Sequence, residues 1–520
     1  MTTSPLPILI VVVPLISAFL IPIVGWWKRN LCYYLTFAAL SISVLISIAV
    51  LNTVVAHGAV HYYLGNWDPP WGIEYVVDHL NAFVVVIMSF ISLVVAIYSK
   101  RSVEQELAGK IVYFYCTFLL LITGLLGMVV TGDMFNLYVF LEVASLAAYA
   151  LIAIGEKGAP LASFRYVILG TIGACFYLLG VGYLYIAAGS LNMADLSQIL
   201  PDLYHSKVII VAFIFFVVGV GLKMALFPLH AWLPDAYTYA PSAVSTLIAP
   251  TMTKVGCYVL IRIMFTVFKP HFSIELIPVT TILSWIAVVA MIVGSIFAIA
   301  QTDFKRMLSY SVVAQIGYIV LGIGLANRAG LTGAVLHILN EAFTKSCLFA
   351  VAGAIVYKMG TSDMYQFRNL YKMMPVTMTA FIIGAFSMIG IPPTVGFFSK
   401  LYLILGSIHA KQWVFVAVIL LSSVLNVVYF YRVIELAFLQ PRELATKKER
   451  EVLQVYSQNG GNATGIRMRD GEGPATIAMD EVPLSMLVSL VVMAAGILIL
   501  GILSTGIVST VIRFAVPTVF

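Results

Sequence analysis

VGVGLKMALFPLHAWLPD, Val218–Asp235, decides how the chain is read. It begins as an apolar helix, carries Lys223 in its interior, and then meets Pro228 and Pro234. An ammonium at mid-depth in a bilayer costs roughly 3 kcal/mol or more. Pro228 donates no backbone hydrogen bond, so the helix kinks or ends there. A buried lysine beside a broken helix makes a poor membrane anchor, and a good place to take up and release a proton.

The surroundings are those of a membrane protein. Of 520 residues, 61% are hydrophobic and 10% charged, and a soluble globular chain has no use for that much apolar surface. A spanning helix needs about 20 apolar residues. Fourteen such stretches are found, near 7–27, 31–55, 78–99, 111–131, 134–154, 163–188, 207–227, 241–267, 277–299, 308–326, 332–356, 375–405, 413–438 and 483–513. The fold class is therefore all-α and polytopic. The first stretch lacks a basic flank and a small-residue cleavage site, and reads as a retained helix.

Charge sets the orientation. Of 29 Lys and Arg residues, alternate loops place 18 on one side and five on the other, Lys207, Lys269, Arg328, Lys411 and Arg513; six lie inside spans. Positive charge collects on the cytoplasmic side. Both termini are then expected outside and the Gln440–Glu481 loop in the cytoplasm, the arrangement of a multi-pass protein in the plasma membrane of a prokaryote. The net charge of +6 reflects topology and not nucleic-acid binding. The five cysteines are scattered over five spans in no metal or disulfide spacing,. Neither a dinucleotide fingerprint nor a P-loop occurs, so no cofactor and no metal are expected.

The chain divides into 1–110 (spans one to three), 111–270 (four to eight), 271–439 (nine to thirteen), the loop 440–481, and 482–520 with the last span. Asn66–Trp71, between spans two and three, is aromatic and turn-rich and reads as an interfacial cap. The two five-helix blocks look like repeats. Thr131–Gly155 aligns on Asp303–Gly324 at an offset of 169, pairing Tyr149 with Tyr318. Gly219–Lys223 and Gly396–Lys400 share G-x-x-x-K spacing, and the second lysine follows Pro392 and Pro393, another helix break. An odd number of helices per block inverts the second relative to the first. Inverted repeats with interrupted helices in matching positions point to a transport site.

Ionisable groups inside spans form the shortlist: Glu142, Lys223, Lys254, His337, Glu341, Lys345 and Lys400, with His230 in the break after Pro228. His337, Glu341 and Lys345 recur at i, i+4, i+8 and share a helix face. Each has a plainer alternative. Lys223, Lys400 and Glu142 could be static ion pairs, Glu341 and Lys345 an internal i, i+4 bridge, and His337 a satisfied core histidine. Arg262, Arg432 and Glu435, near span ends, read as snorkelling residues. Desolvation disfavours an ammonium and a nearby carboxylate restores it, so a lysine that moves relative to a glutamate can bind and release a proton. A row of such groups would form a polar line through the membrane.

FLEVASLAAYALI (140–152), GLKMALFPLHAWLPDAYTYAPSAVSTLIA (221–249) and GIPPTVGFFSK (390–400) resemble the proton-translocating subunits shared by Mrp-type cation/proton antiporters, respiratory complex I and membrane-bound hydrogenases, the D-type antiporter subunits most of all. The resemblance covers roughly 112–435. It implies fourteen helices, two inverted five-helix repeats, and breaks in the seventh and twelfth. It implies that Glu142 modulates Lys223, that Lys254 is the connecting lysine, that His337 and Lys345 occupy ionisable positions of the eleventh helix, and that Lys400 is terminal. Glu341 stands where many members show histidine. The expected function is proton translocation within a hetero-oligomeric membrane complex, driven by exchange with Na⁺ or another cation. The alternative is the pumping arm of a redox enzyme whose electron carriers lie on other chains.

Overall fold

With no water to satisfy backbone polar groups in a bilayer core, each apolar stretch must close its own hydrogen bonds as a helix. The computed structural model of the chain describes residues 2–439 and 479–517. Twelve of its helices are long and apolar enough to cross a membrane. In chain order these are spans one to six, Leu6–Trp27, Arg29–His57, His79–Glu106, Ile111–Val130, Met134–Ala153 and Ala159–Ala188; span eight, Ser242–Val267; spans nine to eleven, Val279–Ile299, Phe304–Gly324 and Arg328–Met359; span thirteen, Trp413–Leu439; and span fourteen, Leu484–Ile502. Spans seven and twelve are interrupted. Lys207–Lys223 is followed by the short Leu233–Tyr239, and Pro375–Ile389 by Val395–His409. Both breaks fall at the prolines that the sequence singled out. The loop 440–481 lies outside the described residues except for its last three. Of these, Asp480 pairs with Lys358 at 2.5 Å, and Glu481 accepts from the Val376 and Thr377 amides, capping the first half of span twelve.

Span eleven is the axis. It runs for 32 residues, roughly 48 Å at 1.5 Å per residue, and is buried along its apolar window,. Asn327 caps its start by accepting from the Gly330 amide, and Gly360, at φ 70°, ends it in the left-handed region that suits glycine,. Spans eight and ten are nearly as enclosed, whereas spans one, two and thirteen turn most of their apolar surface outward. The polar groups of span eleven are thus held away from lipid on every side.

The same contacts recur about 170 residues apart. Asp133 caps span five through the Asn136 amide, and Asp303 caps span ten through the Arg306 amide. The backbone beside each cap pairs with the loop that follows the next span: Met134 with Leu191 and Met193 with Gly132, then Phe304 with Ser362 and Met364 with Thr302. A Cβ on Gly124 would meet the Ala144 nitrogen at 2.5 Å, and one on Gly294 the Ala314 nitrogen at 2.7 Å, so both helix pairs touch backbone to backbone.

Two features depart from expectation. The loop between spans two and three is a small sheet, Val60–Tyr63 antiparallel to Glu74–Val77, with Thr2–Thr3 added parallel. Strand-favouring Val and Tyr residues beside a turn-rich tip suit a hairpin,; Trp67 and Trp71 at its tip are exposed. Arg262 does not snorkel: it is buried and pairs with Asp78 at 2.5 Å, linking span eight to the first turn of span three. The partner lies 184 residues away, out of reach of local pattern.

Candidate functional site: a chain of buried charges

The site starts where span seven stops. Ala225 takes φ 58°, and the Leu222 carbonyl at the helix end accepts from both the Ala225 amide and the Trp232 indole N–H. Lys223 is held at that end. Its Nζ lies 3.3 Å from Glu142 Oε1 and donates to Ser145 Oγ at 2.7 Å, with the Tyr149 ring 6.0 Å away. Glu142, Ser145 and Tyr149 follow at i, i+3 and i+7, one face of span five. Glu142 is partly open and Lys223 nearly closed off.

The next pair joins spans eight and eleven. Lys254 and Glu341 are both fully buried, with Nζ 3.4 Å from Oε2. Lys254 also donates to the Ala249 carbonyl and to Thr253 Oγ1. Neither Glu341 oxygen takes a hydrogen bond among the described residues. A buried carboxylate with open lone pairs is costly and is found mainly where chemistry needs it. The internal Glu341–Lys345 bridge does not form; Lys345 instead donates to Ser311 Oγ at 2.6 Å.

The third group surrounds His337. Its Nε2 faces Gln315 Oε1 and its Nδ1 faces Ser399 Oγ, both at 2.9 Å, and its ring stacks on Tyr318. This arrangement accepts either protonation state. In the neutral ring, Nε2–H donates to Gln315 and the Ser399 hydroxyl donates to Nδ1. In the cation, Nδ1–H donates to Ser399, whose hydrogen turns to the Gly396 carbonyl at 3.0 Å,. The other face of the group is Lys400, whose Nζ lies 4.8 Å from the Tyr318 ring centroid.

Lys400 repeats the logic of Lys223 with different partners. Its Nζ donates to the Met388 and Ile389 carbonyls at 2.7 and 3.0 Å and to Ser423 Oγ at 3.0 Å. These carbonyls close the first half of span twelve before Gly390 turns to φ 92°. They form the negative end of a helix dipole. No carboxylate is needed to hold the ammonium there.

The expected residues thus fall into three groups: Lys223 with Glu142, Lys254 with Glu341, and His337 with Lys400 through Ser399 and Tyr318. Lys345 extends from span eleven to span ten. Between the first two groups the contact is apolar, Cys257 Sγ against Met224 Sδ at 3.9 Å. His230 lies outside the line, stacked on Phe227, with a buried Nδ1 that has no hydrogen bond among the described residues. Sequence reasoning did not select Ser145, Ser311, Gln315, Tyr318 and Ser399, which are ordinary neutral residues for a helix. The Tyr149–Tyr318 match was the one available signal, since each tyrosine sits beside its block's lysine. Lys305 was also missed. Counted as a loop charge, it is buried and donates to the Ala240 carbonyl at 2.7 Å.

Known proteins share this sequence pattern and this fold. The profile for NADH:quinone oxidoreductase/Mrp antiporter transmembrane proteins matches residues 131–426. NADH-quinone oxidoreductase subunit N of Desulforudis audaxviator is 45% identical over 99% of both chains. The D-type subunit of the Na(+)/H(+) antiporter of Alkalihalophilus pseudofirmus is 34% identical, over 76% of this chain and 79% of its own. A chain of the archaeal membrane-bound sulfane sulfur reductase superposes with a TM-score of 0.86 at 29% identity, covering 98% of this chain and 97% of that one. A chain of the Mrp complex from Dietzia sp. gives 0.84 at 24%, over 99% and 98%, a likeness of fold. With a profile over more than half its length and relatives above 30% identity along most of it, the chain belongs to the NADH:quinone oxidoreductase/Mrp antiporter transmembrane family.

Proposed function

We propose that the chain is the proton-translocating subunit of a multi-subunit membrane complex, and that protons pass along Glu142, Lys223, Lys254, Glu341, His337 and Lys400, with Lys345 in support. The observation that carries this reading is the buried Lys254–Glu341 pair at 3.4 Å, flanked by a second lysine–glutamate pair and by a histidine with a proton partner on each ring nitrogen. A static scaffold gains nothing from so many buried charges, because ion pairs cost about as much to desolvate as they return. In the resting arrangement Met224 and Cys257 separate the first pair from the second, so transfer between them needs water or a movement of the break in span seven. The blocks 111–270 and 271–439 act as two half-pathways, each holding a lysine beside a broken helix. Both termini face outward from the plasma membrane of a prokaryote, with the basic loops in the cytoplasm.

The coupling we propose is exchange of protons for Na⁺ or another monovalent cation, as the name of the Na(+)/H(+) antiporter relative suggests. A second reading is pumping driven by electron transfer on neighbouring chains. The 45% identical relative, named as a quinone oxidoreductase component, and the sulfane sulfur reductase likeness favour it. The proton line serves both. Lys223→Ala and Glu142→Ala test it directly. Membrane vesicles carrying either variant should lose at least about 90% of driven proton movement, in line with a loss of more than about 1.4 kcal/mol from a rate-controlling step, while the complex stays assembled on native gels. Normal pumping by both variants would remove the charge line.

A further inference from the structure

Two of the cations at the charge-poor end of the bundle share one cleft. Of the five Lys and Arg residues assigned there by the loops, Arg328 and Arg513 line a single cleft of about 640 Å³, with His409 between them. Lys411 follows two residues after His409. The three lining groups come from the start of span eleven, the end of span twelve and the segment beyond span fourteen, 185 residues apart at the extremes. The floor is rigid: Asn327 Nδ2 donates to the Gly406 carbonyl at 2.8 Å, fastening the two helix ends together. Next to Arg513, the Phe514 ring packs on His79 of span three. Tyr402 and Val508 also line it, and no acidic side chain among the described residues does. Arg328, His409 and Arg513 make no ion pair among the described residues.

Arg328, His409 and Arg513 are exposed on this one cleft, and two guanidinium groups with no acidic neighbour in the lining suit an anion,. The cleft lies at span ends, the depth of lipid headgroups, and exposed Leu405, Leu503 and Phe514 stand nearby. Arginine pairs bind phosphate through two parallel hydrogen bonds, and basic pockets between membrane helices suit anionic headgroups. We propose that this cleft binds the phosphate of an anionic membrane lipid, with Arg328 and Arg513 as counter-charges, His409 as a hydrogen-bond donor, and Tyr402 and Val508 against the glycerol and upper acyl carbons. The site would fasten the end of span fourteen to spans eleven and twelve and does not depend on the direction or coupling of transport.

The test uses the whole complex, purified through a tag on this chain, stripped of lipid with detergent and probed by native mass spectrometry. Phosphatidylglycerol, phosphatidylcholine and inorganic phosphate are added in turn. Phosphatidylglycerol should be retained over phosphatidylcholine, and Arg328→Gln with Arg513→Gln should weaken its retention by about tenfold. Arg328→Lys with Arg513→Lys should keep most of it, and Lys372→Gln at the opposite end should have no effect. His409→Gln, a milder change, gives an intermediate loss and keeps the test available if the double variant fails to assemble. Equal retention of both lipids, or no loss in any variant, overturns the proposal. So does displacement of the lipid by inorganic phosphate at equal concentration, which would make this a free-phosphate site. A photoactivatable group at Ser509 that labels only a neighbouring protein would make it a protein interface.

Discussion

Lys254 and Glu341 are the pair whose chemistry is most constrained by their surroundings. Both are closed to solvent, and among the described residues the carboxylate takes no hydrogen bond, only the 3.4 Å ion pair with Lys254. Glu341→Gln leaves the ammonium of Lys254 buried without a counter-charge, which costs on the order of 3–5 kcal/mol when the group stays charged. The variant should therefore assemble poorly, with a lower thermal midpoint in detergent. Adding Lys254→Met removes the stranded charge, so the double variant should recover most of that stability and none of the proton movement. Recovery of transport along with stability would make the pair structural. Lys400 calls for the opposite reasoning. Its ammonium rests on neutral carbonyls at a helix end, so a carboxylate there meets a repelling dipole but still offers a proton-binding group,. Lys400→Ala should block flux, measured by quenching of a pH-sensitive dye in vesicles, and Lys400→Glu should retain a fraction. Equal flux in all three forms would take Lys400 out of the path.

At the scale of elements, spans seven and twelve are broken where each block holds its lysine. Prolines made the breaks legible, because a residue without an N–H interrupts the only ladder a membrane helix has. The helices themselves were legible from apolar length alone, and the sequence-derived stretches fall on every crossing described. What sits around the lysines was not legible. Ser399 and Gln315 are neutral residues brought to His337 from two other spans, and the partner of Arg262 lies at the start of span three. No local periodicity encodes such meetings. Glu341 illustrates the limit: its spacing matched Lys345 one turn away, yet tertiary packing gave it Lys254. The break in span seven also holds a non-glycine residue in the left-handed region, Ala225 at φ 58°. That conformation costs an alanine roughly 1 kcal/mol. Ala225→Gly should raise the thermal midpoint or leave it level, with the added freedom of glycine in the unfolded chain offsetting part of the gain. A clear fall in the midpoint would mean that the methyl group packs in a way that outweighs its backbone strain.

For the whole molecule, the decisive question is what drives the protons, and the proton line is indifferent to the answer. It holds lysines, a histidine and glutamates, and neither cation exchange nor electron transfer demands more of this chain. The driving force must then come from what surrounds it, and the composition of the complex discriminates the two. Gentle purification through a tag on this chain, followed by mass spectrometry, should bring down small hydrophobic subunits without iron–sulfur proteins if exchange is the coupling. A Na⁺ gradient imposed across proteoliposomes of that complex should then move protons in the opposite direction, and Lys223→Ala should reduce this by about tenfold or more. Co-purification of a cysteine-rich iron–sulfur partner, with proton movement that follows electron donor and ignores Na⁺, would make the chain the pumping arm of an oxidoreductase. The same Lys223→Ala variant would then uncouple electron flow from proton movement, leaving donor oxidation in place. That outcome would keep every contact in the line and change only what pushes charge through it.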